Sequence, residues 1–306
     1  MDSGTIKTIA LECFGLKKSE HVLIVCDDKL SDLARDFYEV IKNLSAECVL
    51  MQMPPRKMHG VEPPGEIACA LKKADIAILL TNMSLSHTRA RKEACAKYGT
   101  RMASLPGITK EILKRSIKLD YSALNRKANK IAKALTKGKG VQIYTDKGTS
   151  LKLSIRGRRG YVDNGLYVKA GAFGNLPAGE ACIAPCEGTT NGTLVVDASA
   201  AIAGKVKRPV KIKIKNGFIQ NMPLPKIKAL IKPLGKPALN IAELGIGLNP
   251  KAKVTGNILE DEKAKNTAHL AIGANISFGG KVSCPCHLDF VFFNPRIFID
   301  GKRLRI

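Results

Sequence analysis

Near residue 139 the hydrophobic period of this chain changes, and that change limits the folds open to it. Before it, short apolar runs alternate with amphipathic ones. HVLIVCDD is a β-rich run, SDLARDFYEVIKNLS reads as a helix with Ser31 as its N-cap, and ECVLMQM is a second strand. ADIAILLT, then TRARKEACAKYG ending at Gly99, then TRMASL before the Pro106-Gly107 turn repeat the pattern. Strands alternating with helices imply right-handed crossovers and therefore a parallel, doubly wound sheet. Two more helices, at 108–117 and 125–140, lead to the stop signals Gly138 and Gly140.

Beyond that point the period becomes two. VQIYTD, LKLSIRG and VKIKIKNGFIQ alternate apolar and polar residues, Asn216-Gly217 is a type I′ hairpin signal, and Asp300-Gly301 marks a second hairpin. Only LPKIKALIKPLG and ILEDEKAK read as helices there. The expectation is an α/β protein in two parts: residues 1–139 form a Rossmann-like doubly wound domain, and residues 140–306 form a β-rich α+β domain that binds metal. A length of 306 residues fits two domains. No GxGxxG follows the first strand, so a dinucleotide site is not indicated.

The chemistry is concentrated in residues 240–290. NIAELGIGLNP, TAHLAIG and CHLDF bring Glu243, His269, His287 and Asp289 into mostly apolar sequence, and two of the five histidines lie here. His287 and Asp289 stand at i and i+2, so on a strand both project from one face and can serve one ion. Glu180, in the apolar run NLPAGEACIAP, adds a carboxylate whose burial requires a partner or a cation. Three carboxylates and two imidazoles exceed what one tetrahedral ion takes, which favours a pair of ions bridged by Glu243. A smaller set, His269, His287 and Asp289 alone, matches the two-histidine, one-carboxylate pattern of non-haem iron oxygenases.

The order Gly-Glu, Ala-Glu-Leu-Gly-Ile-Gly-x-Asn-Pro, Asp-Glu-Lys, His-x-Ala-x-Gly and His-x-Asp resembles the thermophilic metalloaminopeptidases typified by aminopeptidases T and S. The likeness is strongest over residues 175–295. It implies two divalent ions (Zn, Co or Mn) held by Glu180, Glu243, His269, His287 and Asp289, a homodimer, and a hydrolase that removes N-terminal residues or cleaves a small peptide or amide. Glu243 is the catalytic candidate in that reading. Two departures stand out: the family's catalytic tyrosine falls on Ile276, and the chain is short for that family, with only eighteen residues from His269 to His287. A dihydroxypyridine-cleaving dioxygenase family is similar to these aminopeptidases in overall pattern, and it supports the alternative of one Fe(II) on His269, His287 and Asp289 acting on a small aromatic substrate. A metal-containing binding protein without turnover is the third reading.

Composition narrows the partners. With 50 Lys+Arg against 26 Asp+Glu the net charge is +24, which favours anionic partners. A nucleic-acid reading finds no base-stacking aromatics to support it: tryptophan is absent, aromatics are 5%, and no RNP, zinc-finger or KH pattern occurs. Nine cysteines are an odd count, and the start MDSGTIKTIALECFGLKK lacks a secretory pattern, so a reduced cytoplasmic location without a membrane span is expected. Cys182, Cys186, Cys284 and Cys286 lie near the ligand candidates, although strand alternation turns Cys284 and Cys286 away from His287 and Asp289. Ser84, His87 and Arg89 follow the third strand at its carboxyl end, where open α/β sheets bind ligands. They form a substrate edge there, or only a helix start capped by Ser86.

Overall fold

The structure is a computed structural model that describes residues 2–306. It divides into two compact units: residues up to Tyr121 together with Gly165–Ala178, and Ser122–Asn164 together with Gly179–Ile306. The mixed α/β class with a parallel sheet followed by antiparallel sheets is as the periodicity indicates.

In the first unit five strands lie in the order Glu47–Met53, His21–Asp27, Ile76–Leu80, Arg101–Ser104 and Phe173–Asn175, every pairing parallel. Apart from His21, the strands His21–Asp27 and Ile76–Leu80 are buried at every position. A parallel sheet covered on both faces needs such continuous apolar runs. Helix Ser31–Ile41 buries Leu33, Ala34, Phe37 and Ile41 as one stripe. Two caps differ from the sequence reading. Ser31 is already helical and donates to the Asp28 carbonyl at 3.1 Å, and Thr88 instead of Ser86 caps helix Arg89–Tyr98 by accepting from the Arg91 amide at 3.2 Å. The helix Gly65–Leu71 lies in a stretch the periodicity left unassigned.

The second unit contains two antiparallel sheets of seven strands. One runs Phe218–Ile219, Val210–Lys215, Asn191–Val196, Ser150–Ser154, Gly140–Tyr144, Arg296–Ile299, Lys302–Arg303. The other, which carries the chemistry, runs Gly204–Lys205, Ser199–Ala200, His287–Phe293, Thr267–Gly273, Ile241–Gly247, Glu180–Ile183, Tyr161–Asp163. Both hairpin signals form as read: Asn216 and Gly217 have φ of 50° and 78°, Asp300 and Gly301 of 48° and 78°, which a primed turn requires.

The division differs from the boundary read at 139. Helix Tyr121–Lys137 joins the second unit from Ser122 onward, because its polar edge bonds there: Thr136 Oγ1 accepts from the Gly160 amide at 2.9 Å, and Asn125 Oδ1 accepts from Asn164 at 2.7 Å. The chain then returns to the first unit, where Phe173–Asn175 completes the parallel sheet. A three-residue strand embedded among glycines gives no periodic signal. Among the described residues no helix is long and apolar enough to cross a membrane.

Candidate metal centre

Four neighbouring strands of the second unit build the centre. Across them Gly247 opposes Glu180, Gly245 opposes His269, Ala271 opposes both Glu243 and Asp289, and Gly273 opposes His287. Opposed residues share a face, as do alternate residues along one strand, so Glu180, Glu243, His269, His287 and Asp289 all project to the same side. The five side chains read as ligands are therefore brought together. Gly245 stands against His269, where a methyl group would overlap the imidazole, so its missing side chain leaves room for that ring.

Glu243 lies between the imidazoles, with Oε1 3.7 Å from His269 Nε2 and Oε2 3.2 Å from His287 Nε2. His287 Nε2 is 3.5 Å from Asp289 Oδ1, as the i, i+2 spacing implies, and Glu180 Oε2 is 3.6 Å from His269 Nε2. His287 Nδ1 is 2.9 Å from the Ala274 carbonyl. A carbonyl can only accept, so Nδ1 carries the hydrogen and Nε2 presents its lone pair to the carboxylates when the ring is neutral.

Two participants, Glu262 and Lys263, escaped the sequence reading. ILEDEKAK reads as a helix, which would turn its charges to water, but the helix Ile258–Asp261 ends after four residues. Glu262 then turns inward, and one donor atom each from Glu262, His269 and Asp289 lie within 4.8 Å of one another. Lys263 is 2% exposed; its ammonium pairs with Glu180, with Glu262 at 2.9 Å and with Asp163 at 3.4 Å. The signal available was the Asp-Glu-Lys triplet itself. Cys182 also faces the centre, its sulfur grouped with Glu180 and Glu243, but burial pushes its thiol well above the usual range and the adjacent carboxylates push it further.

The electrostatics are those of a cation site. Burial opposes charge on His269, yet the neighbouring Glu243 and the charges of Glu180, Asp289 and Glu262 outweigh it and raise the imidazole to about 9. His287 is likewise held well above the usual imidazole range by Asp289 and Glu243 against the same burial. Glu243, despite burial, is held below the ordinary carboxylate range by both imidazoles. Burial carries Glu262 up to about 8, with Lys263 opposing and Asp289 and Glu180 assisting. Lone pairs converging in this way require either protons on the imidazoles or a metal cation among them. Two buried atoms of the centre, Glu180 Oε2 and His269 Nδ1, have no hydrogen-bond partner among the described residues. Oxygen and imidazole donors in this number suit a divalent ion.

The segment after Gly273 walls the centre. Asn275 is fully buried, donates to Glu187 at 2.9 Å and accepts from the Val282 amide at 2.9 Å, while Arg158 pairs with Glu187. Phe278 lies against His287 with ring centroids 5.4 Å apart, and Tyr161 meets Phe278 edge-on at 6.2 Å. Ile276 sits in a short 3-10 turn and is 57% exposed. His87 and Arg89 belong to the first unit, both exposed at the start of helix Arg89–Tyr98.

The family described as NicX, 2,5-dihydroxypyridine 5,6-dioxygenase, matches residues 6–305. The chain belongs to the NicX family. A curated relative, 2,5-dihydroxypyridine 5,6-dioxygenase of Pseudomonas putida strain KT2440, is 24% identical over 250 residues, 76% of this chain and 70% of the relative. The solved structure of 2,5-dihydroxypyridine dioxygenase from the same strain superposes with a TM-score of 0.85 at 19% identity, covering all of this chain and 96% of the other. Wild-type AmpT from Thermus thermophilus superposes at 0.73 with 15% identity, covering 98% and 96%. At these identities the structural likenesses speak for the fold alone. The covered share of AmpT also shows that this NicX-family chain lacks no large part of that fold.

NicX membership overturns the hydrolase reading. The aminopeptidase, metalloprotease and N-terminal-trimming assignments do not hold, and the kinship with AmpT is one of fold. The physical reason is visible in the centre. The motifs behind that resemblance are strand-borne carboxylates and imidazoles that a shared sheet can present to different chemistries, whereas the phenol a hydrolase of that type would use is replaced by the solvent-facing Ile276.

Proposed function

We propose that the chain is a non-haem iron dioxygenase that cleaves a small, electron-rich hydroxylated aromatic ring of the dihydroxypyridine type, with one Fe(II) held by His269, His287 and Asp289. The observation that carries this reading is the placement of two imidazoles and one carboxylate on the adjacent strands Thr267–Gly273 and His287–Phe293, facing one side, in a chain of the NicX family. Fe(II) bound there supplies the redox chemistry through which dioxygen reacts with such a ring.

The chain's own residues do the rest. The Ala274 carbonyl fixes the ring plane and tautomer of His287. Glu243 stays ionised between the imidazoles and raises their basicity as donors. Lys263 holds one oxygen of Glu180 and one of Glu262, which keeps those carboxylates from crowding onto the ion and favours one ion over two. Glu262, carried up to about 8, can hold a proton on its carboxyl near neutral pH and exchange it with a ring hydroxyl. Phe278 and Tyr161 supply an aromatic wall beside His287. A substrate-binding role for His87 and Arg89 belongs to the same proposal, and a raised KM in Arg89→Ala with kcat unchanged is its test.

Metal analysis of protein purified without oxygen tests the centre. About one Fe per chain is expected, retained by the parent and lost from His269→Ala, His287→Ala and Asp289→Ala. Iron retained in all three variants would remove these residues from the ligand set.

A further inference from the structure

Immediately before His287, Cys284 and Cys286 flank Pro285 in a segment without regular structure, and their sulfurs lie 3.4 Å apart. Both are partly exposed and both are free thiols. That separation is thiol-to-thiol contact, roughly 1.4 Å longer than an S–S bond. The segment is also clasped to the centre. The Cys286 carbonyl accepts from the Ala274 amide at 2.9 Å, and the Ala274 carbonyl takes the hydrogen of His287 Nδ1 at 2.9 Å. Gly273, at φ 104°, packs so closely that a methyl group on it would overlap the Cys286 carbonyl. A rotation of the Cys284–Cys286 peptides thus reaches, through two hydrogen bonds, the group that orients His287.

We propose that Cys284 and Cys286 form a reversible dithiol–disulfide couple, closed by small-molecule disulfides, whose closure loosens the hold of His287 on the metal. The second half rests on the reading of His287 as an iron ligand. One protein thiolate attacks the small disulfide, forming a mixed disulfide and releasing one small thiolate. The other protein thiolate attacks the protein sulfur of that mixed disulfide, forming the Cys284–Cys286 bond and releasing the second. The two protons lost by the protein thiols go to the released thiolates. The protein is oxidised by two electrons, and the small disulfide is reduced to two thiols. A ring closed across a single intervening residue is strained, which makes it easy to reopen with excess dithiol and suits a switch better than a structural bond.

The experiment incubates iron-loaded, full-length protein with oxidised glutathione under nitrogen. Peptide mapping reads the bond, and metal analysis after desalting reads its effect. The peptide containing both cysteines should become about 2 Da lighter, the change should reverse with dithiothreitol, and iron should be held at least about tenfold more weakly in the closed form. Cys284→Ser and Cys286→Ser should keep their iron under the same treatment. An unchanged mass, or a stable glutathione adduct without ring closure, overturns the couple. A closed form that holds iron as tightly as the open one overturns its link to the centre. If the reduced protein holds no iron at all, the reading of the centre fails and the link with it, while the mass change still decides the couple.

Discussion

The imidazole of His269 occupies the space that a side chain on Gly245 would need: the two residues are paired across adjacent strands, and a methyl group on Gly245 would overlap ring atoms Cε1 and Nε2. The glycine is therefore part of the centre although it offers no ligand. Gly245→Ala must push the ring aside within a buried sheet. Weaker metal binding by at least about tenfold is expected. Overpacking should cost about 1–3 kcal/mol of stability as well. Metal titration alongside thermal melting checks both, and unchanged affinity with a normal melt would mean the ring is not held over that glycine.

Protons on the centre set the pH dependence of the metal-free protein. His269 is raised from 6.5 to about 9 and Glu262 from 4.5 to about 8. A group whose pKa is raised by folding binds protons more tightly in the folded state, so stability falls as pH rises between its two values. The His269 contribution is complete below about 6.5 and gone above about 9, and that of Glu262 declines in the same direction up to about 8. The melting temperature of metal-free protein should thus fall from pH 6.5 to 9, and metal should flatten the slope by replacing the protons. A metal-free melting temperature that climbs over this range would be incompatible with the proton-loaded cluster.

Three inward carboxylates share the Lys263 ammonium, which forms ion pairs with Glu180, Glu262 and Asp163. Lys263→Met should destabilise the protein by about 3–5 kcal/mol, because it leaves buried negative charge uncompensated. Adding Glu180→Gln should recover part of that loss. A double-mutant cycle by urea denaturation measures the coupling, and strictly additive effects would show that the ammonium does not hold Glu180.

Most of the architecture was legible because it follows from period. Continuous apolar runs such as Ile76–Leu80 and alternating ones such as Val210–Lys215 declare parallel and antiparallel strands directly. The five inward ligand candidates were legible for a related reason, since a charge in an apolar run such as Ile241–Gly247 has to find a partner. What stayed hidden depends on the third dimension. Glu262 and Lys263 sit in a charged stretch that resembles a solvated helix until the turn ends at Asp261, and Phe173–Asn175 is too short to show a period. The type of reaction was least legible of all. Carboxylates and imidazoles on a sheet serve hydrolysis and oxygen chemistry alike, so the ordered motifs led to the neighbouring hydrolase family, and the one discordant residue was Ile276.

Ring cleavage is tested most directly by following dissolved oxygen and ring absorbance together when iron-reconstituted protein is mixed with 2,5-dihydroxypyridine. About one O2 should be taken up per ring lost, with uptake abolished in Asp289→Ala and in protein loaded with zinc in place of iron. Iron-loaded protein that leaves both oxygen and the ring untouched, across this and other dihydroxylated nitrogen heterocycles, would contradict the assignment.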